Sequence, residues 1–242
     1  MIEKNLFITG GSSGIGQAIV ALFLKHDFQV FNFDQQASDI GQFIEVDVTA
    51  HDDLQRRVTD IAQSSPPSVI VCNAGKHLSA SLTNTTEQQL DDILSLNVKG
   101  AFSFCQAALP FMQRAHYGRV ILIGSDQSVI AKSHSFAYCM SKHALAAMAK
   151  SIALDYATDG ITANAICPGT IDTPLYRHAI DAYSKKSGIS LSEIEHAEAA
   201  SQPVNRIGNS DEVAQLALFL ASENAGYITG SLQMIDGGYT AQ

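Results

Sequence analysis

Residues 5–26 read NLFITGGSSGIGQAIVALFLKH, an apolar strand that runs directly into glycines and then into an amphipathic helix. Leu6 to Thr9 carry the strand, and Ile15, Ile19, Leu22 and Phe23 follow at helical spacing. This order commits the chain to an α/β unit whose first turn leaves the carboxyl end of a buried strand. Gly10, Gly14 and Gly16, with Ser12, Ser13 and Ile15 between them, leave room for backbone to approach a pyrophosphate, whose charge the helix N-terminus stabilises. The turn is therefore a dinucleotide site rather than a flexible Gly/Ser loop.

Alternation continues along all 242 residues, without repeats, low complexity or a linker. Strands are expected near 4–9, 28–33, 42–46, 68–72, 119–124, 161–167 and 232–236, with mostly helical connections. Such a pattern predicts an α/β single-domain Rossmann fold over 1–242, a doubly wound seven-stranded parallel sheet with right-handed crossovers and helices on both faces. A hydrophobic content of 46% is ample for burying that sheet. Between Asp34 and Phe43 the connection is too short for a full helix.

A second cluster, SDQSVIAKSHSFAYCMSK, runs from Ser125 to Lys142. Tyr138 and Lys142 stand four apart, so on a helix they share a face, and an ammonium beside a phenol favours phenolate. Alone, a phenol titrates near pH ~10 and an ammonium near ~10.4, outside the useful range for neutral acid–base work. Ser125, thirteen residues before the tyrosine, offers a hydroxyl to hold a substrate oxygen against both. Ser128 is its rival by position. Gln127 belongs either to a polar surface turn or to the substrate pocket, bonding a polar group there.

Asp34 ends the second strand eighteen residues beyond Gly16. A carboxylate at that place accepts hydrogen bonds from the ribose 2′-hydroxyl of NAD and repels the 2′-phosphate of NADP, so NAD is the expected cofactor.

The TGxxxGxG turn and Tyr138-x-x-x-Lys142 together resemble the short-chain dehydrogenase/reductase family. The resemblance runs through Asp47-Val48, Asn73-Ala74-Gly75, Asn97, Ser125, Pro168-Gly169 and the terminal IDGGYT. It implies a catalytic tetrad of Asn97, Ser125, Tyr138 and Lys142, with Lys142 also holding the nicotinamide ribose and Asn97 positioning a relay water. It further implies that Asp47 and Val48 border the adenine, that Asn73, Ala74 and Gly75 border the adjoining ribose, and that Ile171 and Thr173, after Pro168-Gly169, meet the carboxamide. The run CPGTIDTPLY is similar to an NAD-dependent subgroup holding type 2 hydroxybutyrate and sugar-acid dehydrogenases, which implies a small hydroxy acid, sugar or sugar acid as substrate. A homotetramer through helices at 101–114 and 136–157 is implied as well. The alternatives are an NADPH-dependent enzyme like the 3-oxoacyl carrier-protein reductases and a non-catalytic NAD-binding scaffold.

Substrate identity is expected in a mostly helical lid at about 173–206, which carries Arg177, His178, Lys185, Lys186 and Arg206. Those cations suit a carboxylate-bearing substrate, Arg177 being the candidate contact, or else a solvated helix face. His77 and His134 are further candidates for the pocket. A formal charge of −9 argues against nucleic acid as partner, and no apolar run reaches the roughly 18 residues of a membrane span. Cys72, Cys105, Cys139 and Cys167 show no metal-ligand spacing and suit a reducing compartment, so a cytoplasmic protein without metal is expected.

Overall fold

The computed structural model describes residues 3–241. Its first strand, β1 (Asn5–Thr9), is buried along all five residues, as a strand paired on both edges and covered on both faces must be. Phe7 points to one face, while Leu6 and Ile8 point to the other. Phe7 packs against Phe31 and Phe33 of β2 (Gln29–Asp34), with ring centroids 4.9 and 5.4 Å apart.

Seven parallel strands form the sheet in the order β3 (Gln42–Glu45), β2, β1, β4 (Val69–Cys72), β5 (Gly118–Ile123), β6 (Ile161–Pro168) and β9 (Leu232–Ile235). All seven strands expected from the sequence are present, each bound within one residue. No helix joins β2 to β3, in keeping with the short connection. One face is covered by α1 (Gly14–Lys25) and α8 (Ser210–Ala221), the other by α2 (His51–Ser64), α4 (Gly100–Ala115) and α5 (Phe136–Tyr156). Because the chain leaves β1 toward one face and β4 toward the other, a crevice opens between their carboxyl ends.

Three further features shape the cleft. A two-residue parallel pair, β7 (Ile171–Asp172) and β8 (Gly208–Asn209), closes the base of the lid. The lid itself is a helical elbow of α6 (Pro174–Ser187) and α7 (Leu191–Ser201), turned at Gly188, whose φ is +77°. Finally, α3 (Glu87–Leu94) runs into α4 through one π-helical turn at Ser95–Lys99, and that turn carries Asn97.

Candidate active site

The glycine turn is held from below by β2. Asn32, fully buried, accepts from Gly11 N at 2.9 Å and donates to Ser12 Oγ at 3.0 Å. The Asp34 carboxylate accepts from Ser12 N and from Gln36 N, both at 3.0 Å. Glycine is obligatory at two places: a Cβ on Gly10 would lie 2.9 Å from Ala74 Cα, and one on Gly16 only 2.0 Å from Gly10 O. Asn73 Nδ2 donates to Gly10 O at 2.7 Å, which ties the end of β4 to the turn.

From this turn a cleft of about 990 Å³ runs to the lid. Its walls include Gly10, Ser13, Gly14, Ile15, Asp34 and Val48 at one end, Asn73, Ala74 and Gly75 in the middle, and Ser125, Gln127, Tyr138, Lys142, Pro168, Gly169, Ile171 and Thr173 at the other. A dinucleotide fits this wall: backbone approaches closely at Gly10, a carboxylate stands at the end of β2, and the serine, tyrosine and lysine flank the far end. Among the described residues no cluster of His, Cys, Asp or Glu could hold a metal ion, and no helix is long and apolar enough to cross a membrane.

Several expected contacts lie off that wall. The Ser12 hydroxyl donates to Gln36 O at 2.6 Å, inside the protein, so it braces the turn instead of facing a ligand. Gly16 sits behind Gly10 O and serves packing. Asp47 is exposed and folds back on Thr49, accepting from its N at 2.8 Å and its Oγ1 at 2.7 Å; Val46 and Val48 face the cleft in its place. Asn97 lies beneath the wall, where Oδ1 accepts from Lys76 N and Nδ2 donates to Lys76 O and Ser141 Oγ, each at 3.0 Å. It clamps the segment after Gly75 to α5.

Tyr138 and Lys142 share the inner face of α5, with Nζ 5.4 Å from the phenol ring centroid. The ammonium does not reach the phenol oxygen; it donates to Ile123 O at 2.8 Å. Burial pulls Lys142 down to about 8 and pushes Tyr138 up to about 12, where hydrogen bonding with Ser125 lowers it and the Asp126 charge raises it further. The expected depression of the tyrosine by the lysine is therefore reversed in the free protein, because burial outweighs a cation that is itself desolvated and bonded elsewhere. Ser128, the rival serine, accepts from Ser125 N at 3.2 Å and donates to Lys142 O at 3.0 Å, which leaves Ser125 as the serine on the wall.

On the substrate side, Gln127 is buried on the cleft wall, and its Oε1 has no partner among the described residues. His77 also lines the cleft, its Nε2 3.1 Å from Ser135 Oγ and its ring edge-on to Tyr138 at 4.7 Å. Burial, with the Lys132 charge adding, holds its imidazole below the usual range. His134 is exposed away from the cleft, at a φ of +56°. Arg177 also lies off it, bonded to both carboxylate oxygens of Asp172 at 2.7 Å and to Glu195. Lys185 pairs with Asp181 and Arg206 with Glu212, His178 is exposed, and the side chain of Lys186 lies outside the described residues. Arg177, Lys185 and Arg206 are thus engaged by acids outside the cleft, and the lid presents mainly apolar groups to it, among them Leu175, Ile180 and Ile194. Asp126 and Lys132, a buried acid and its partner 2.6 Å away, also line the cleft; their spacing in a loop gave no periodic signal.

The family described as Enoyl-(Acyl carrier protein) reductase matches residues 10–240. A crystal structure of a short chain dehydrogenase family protein from Francisella tularensis is 39% identical, covers 100% of both chains and superimposes with a TM-score of 0.93. The chain belongs to the short-chain dehydrogenase/reductase family. This short-chain dehydrogenase/reductase is also 34% identical over 241 residues to the 3-oxoacyl-[acyl-carrier-protein] reductase MabA of Mycobacterium avium, covering 98% of this chain and 90% of the relative. It is 31% identical over 254 residues to D-beta-hydroxybutyrate dehydrogenase of Cupriavidus necator, covering 99% and 98%. As a member of the family it is an oxidoreductase.

Proposed function

We propose that this oxidoreductase uses NAD to interconvert a secondary alcohol and a ketone, on a small hydroxy acid, sugar or sugar acid. The observation that carries the cofactor reading is Asp34: its carboxylate faces the cleft, and among the described residues no lysine or arginine stands on the wall around it. A 2′-phosphate there would meet a negative charge without a cation to offset it. Nicotinamide bound at the far end supplies the hydride acceptor or donor. Tyr138 takes the hydroxyl proton in the oxidative direction and returns it in the reductive one, Ser125 holds the substrate oxygen, and Lys142, one turn along α5, would hold the nicotinamide ribose. Asn97 acts by fixing the floor beneath them. A carboxylate on the substrate would meet Lys132 or Lys76, since the lid's own cations point away.

Absorbance at 340 nm tests this with NAD or NADP and a panel of hydroxy acids, sugars, sugar acids, steroids and simple secondary alcohols. Reduction of NAD by one class, lost in Tyr138→Phe with NAD binding kept, is the expected result. A preference for NADP would sink the cofactor reading. The apolar lid, together with the likeness to the acyl-carrier-protein reductase, favours a second reading in which an acyl chain lies under α6 and α7; NADPH-dependent reduction of a 3-oxoacyl thioester would establish it. We further propose a cytoplasmic homotetramer. Phe102 on α4 and Leu154 on α5 stand 50% and 83% exposed, apolar groups that a second copy would cover; light scattering at the monomer mass would refute it.

A further inference from the structure

The Ser125 hydroxyl is already committed in the free protein. Its Oγ lies 2.7 Å from Asp126 Oδ1, and since a carboxylate can only accept, the proton on that bond belongs to Ser125. Gln127 N donates to the same Oγ at 3.2 Å and to Asp126 Oδ1 at 2.8 Å. A hydroxyl has one proton and two lone pairs, so Ser125 turns no proton to the cleft, only its second lone pair, which the neutral Tyr138 phenol meets in the free protein and which opens when that phenol turns to a substrate oxygen. Asp126 is 3% exposed, and its other oxygen meets Lys132 Nζ at 2.6 Å, with that ammonium 4.4 Å from the Tyr239 ring centroid. The ion pair gives the buried side chain a cationic partner on the oxygen that Ser125 does not use.

We propose that Asp126, held by Lys132, is a positioning residue that turns the Ser125 proton away from the substrate, so that the site binds the alcohol in preference to the ketone. This rests on the reading of the cleft as an alcohol–ketone site. With neutral Tyr138 donating to the substrate oxygen, an alcohol donates a hydrogen bond from its own hydroxyl to the second lone pair of Ser125, and every donor has an acceptor. A ketone has no proton to give, so its oxygen faces a lone pair. To donate to it, Ser125 must break its bond to Asp126, leaving Oδ1 with Gln127 N alone. Ser125 therefore recognises a hydroxyl donor, and its neighbour sets that sign.

Non-reacting ternary complexes test this without knowledge of the natural substrate: cyclohexanol is titrated into the NADH complex and cyclohexanone into the NAD complex, by calorimetry. Asp126→Ala should lower the alcohol-to-ketone affinity ratio about tenfold, the scale of one hydrogen bond to a charged acceptor. Asp126→Asn, which keeps an uncharged acceptor and the shape of the side chain, should give a smaller drop and serves where the alanine variant does not fold. In a Ser125→Ala background the effect of Asp126→Ala should vanish, which a purely structural role for Asp126 would not produce. An unchanged ratio in a folded Asp126 variant, or an equal effect with and without Ser125, would overturn the proposal. Failure of the cofactor reading shows separately, as absence of NAD and NADH binding in the same titrations.

Discussion

Lys142 lies one helical turn from Tyr138 yet gives its ammonium to the carbonyl of Ile123, 2.8 Å away. A lysine this deeply buried has its folded pKa near 8, below the usual value near 10.5. A group with a depressed folded pKa contributes stability above its unfolded pKa and loses it as pH falls through the folded one. The ammonium is therefore a burden at neutral pH that lifts between pH 8 and 10.5. Lys142→Met should raise the melting temperature at pH 7, and the gain should shrink across that window. Calorimetric scans at pH 7, 9 and 10.5 check it, and turnover should be lost throughout.

Asn97 makes three side-chain bonds at 3.0 Å and stands 1% exposed. Asn97→Ala leaves Lys76 N, Lys76 O and Ser141 Oγ without this partner, at a cost of about 1–3 kcal/mol in urea unfolding. Turnover should fall with it, through loss of the floor under Gly75 and Lys76.

Asp34 has two tasks, gripping Ser12 N and facing the cleft. Asp34→Ala should weaken NAD binding about tenfold or more and weaken NADP binding less, or improve it, because the repulsion disappears along with the grip. Dissociation constants for both cofactors provide the check.

Gln127 Oε1 is a buried acceptor without a donor among the described residues. Gln127→Leu should leave stability nearly unchanged, since no bond within the protein is lost, and should raise the KM of the true substrate about tenfold if the substrate supplies that donor. Steady-state kinetics beside a denaturation curve separate the two effects.

Much of this was legible because periodicity and glycine placement are local signals. The strand–turn–helix from Leu6 to Phe23 and the Tyr138/Lys142 face needed no tertiary information. What stayed hidden depends on partners remote in sequence. Ser12 looks like a loop residue until Asn32 and the Gln36 carbonyl enclose it. Arg177 reads as a substrate contact until Asp172 and Glu195 claim it. The sign of the Tyr138 shift was missed for the same reason: helical spacing brings Lys142 to the correct face, but the depth of burial and the Ile123 carbonyl decide where its charge goes.

The little β7–β8 pair joins the two roots of the lid, with Ile171 opposite Gly208 and Asp172 opposite Asn209. A Cβ on Gly208 would stand 2.5 Å from Ile171 Cδ1, so any larger residue there must push that methyl group aside. Everything between the seam's two strands is thereby a cassette. Exchanges within residues 174–207 should alter the substrate range while the sheet-side wall keeps its shape, because the seam holds the two ends of the segment together.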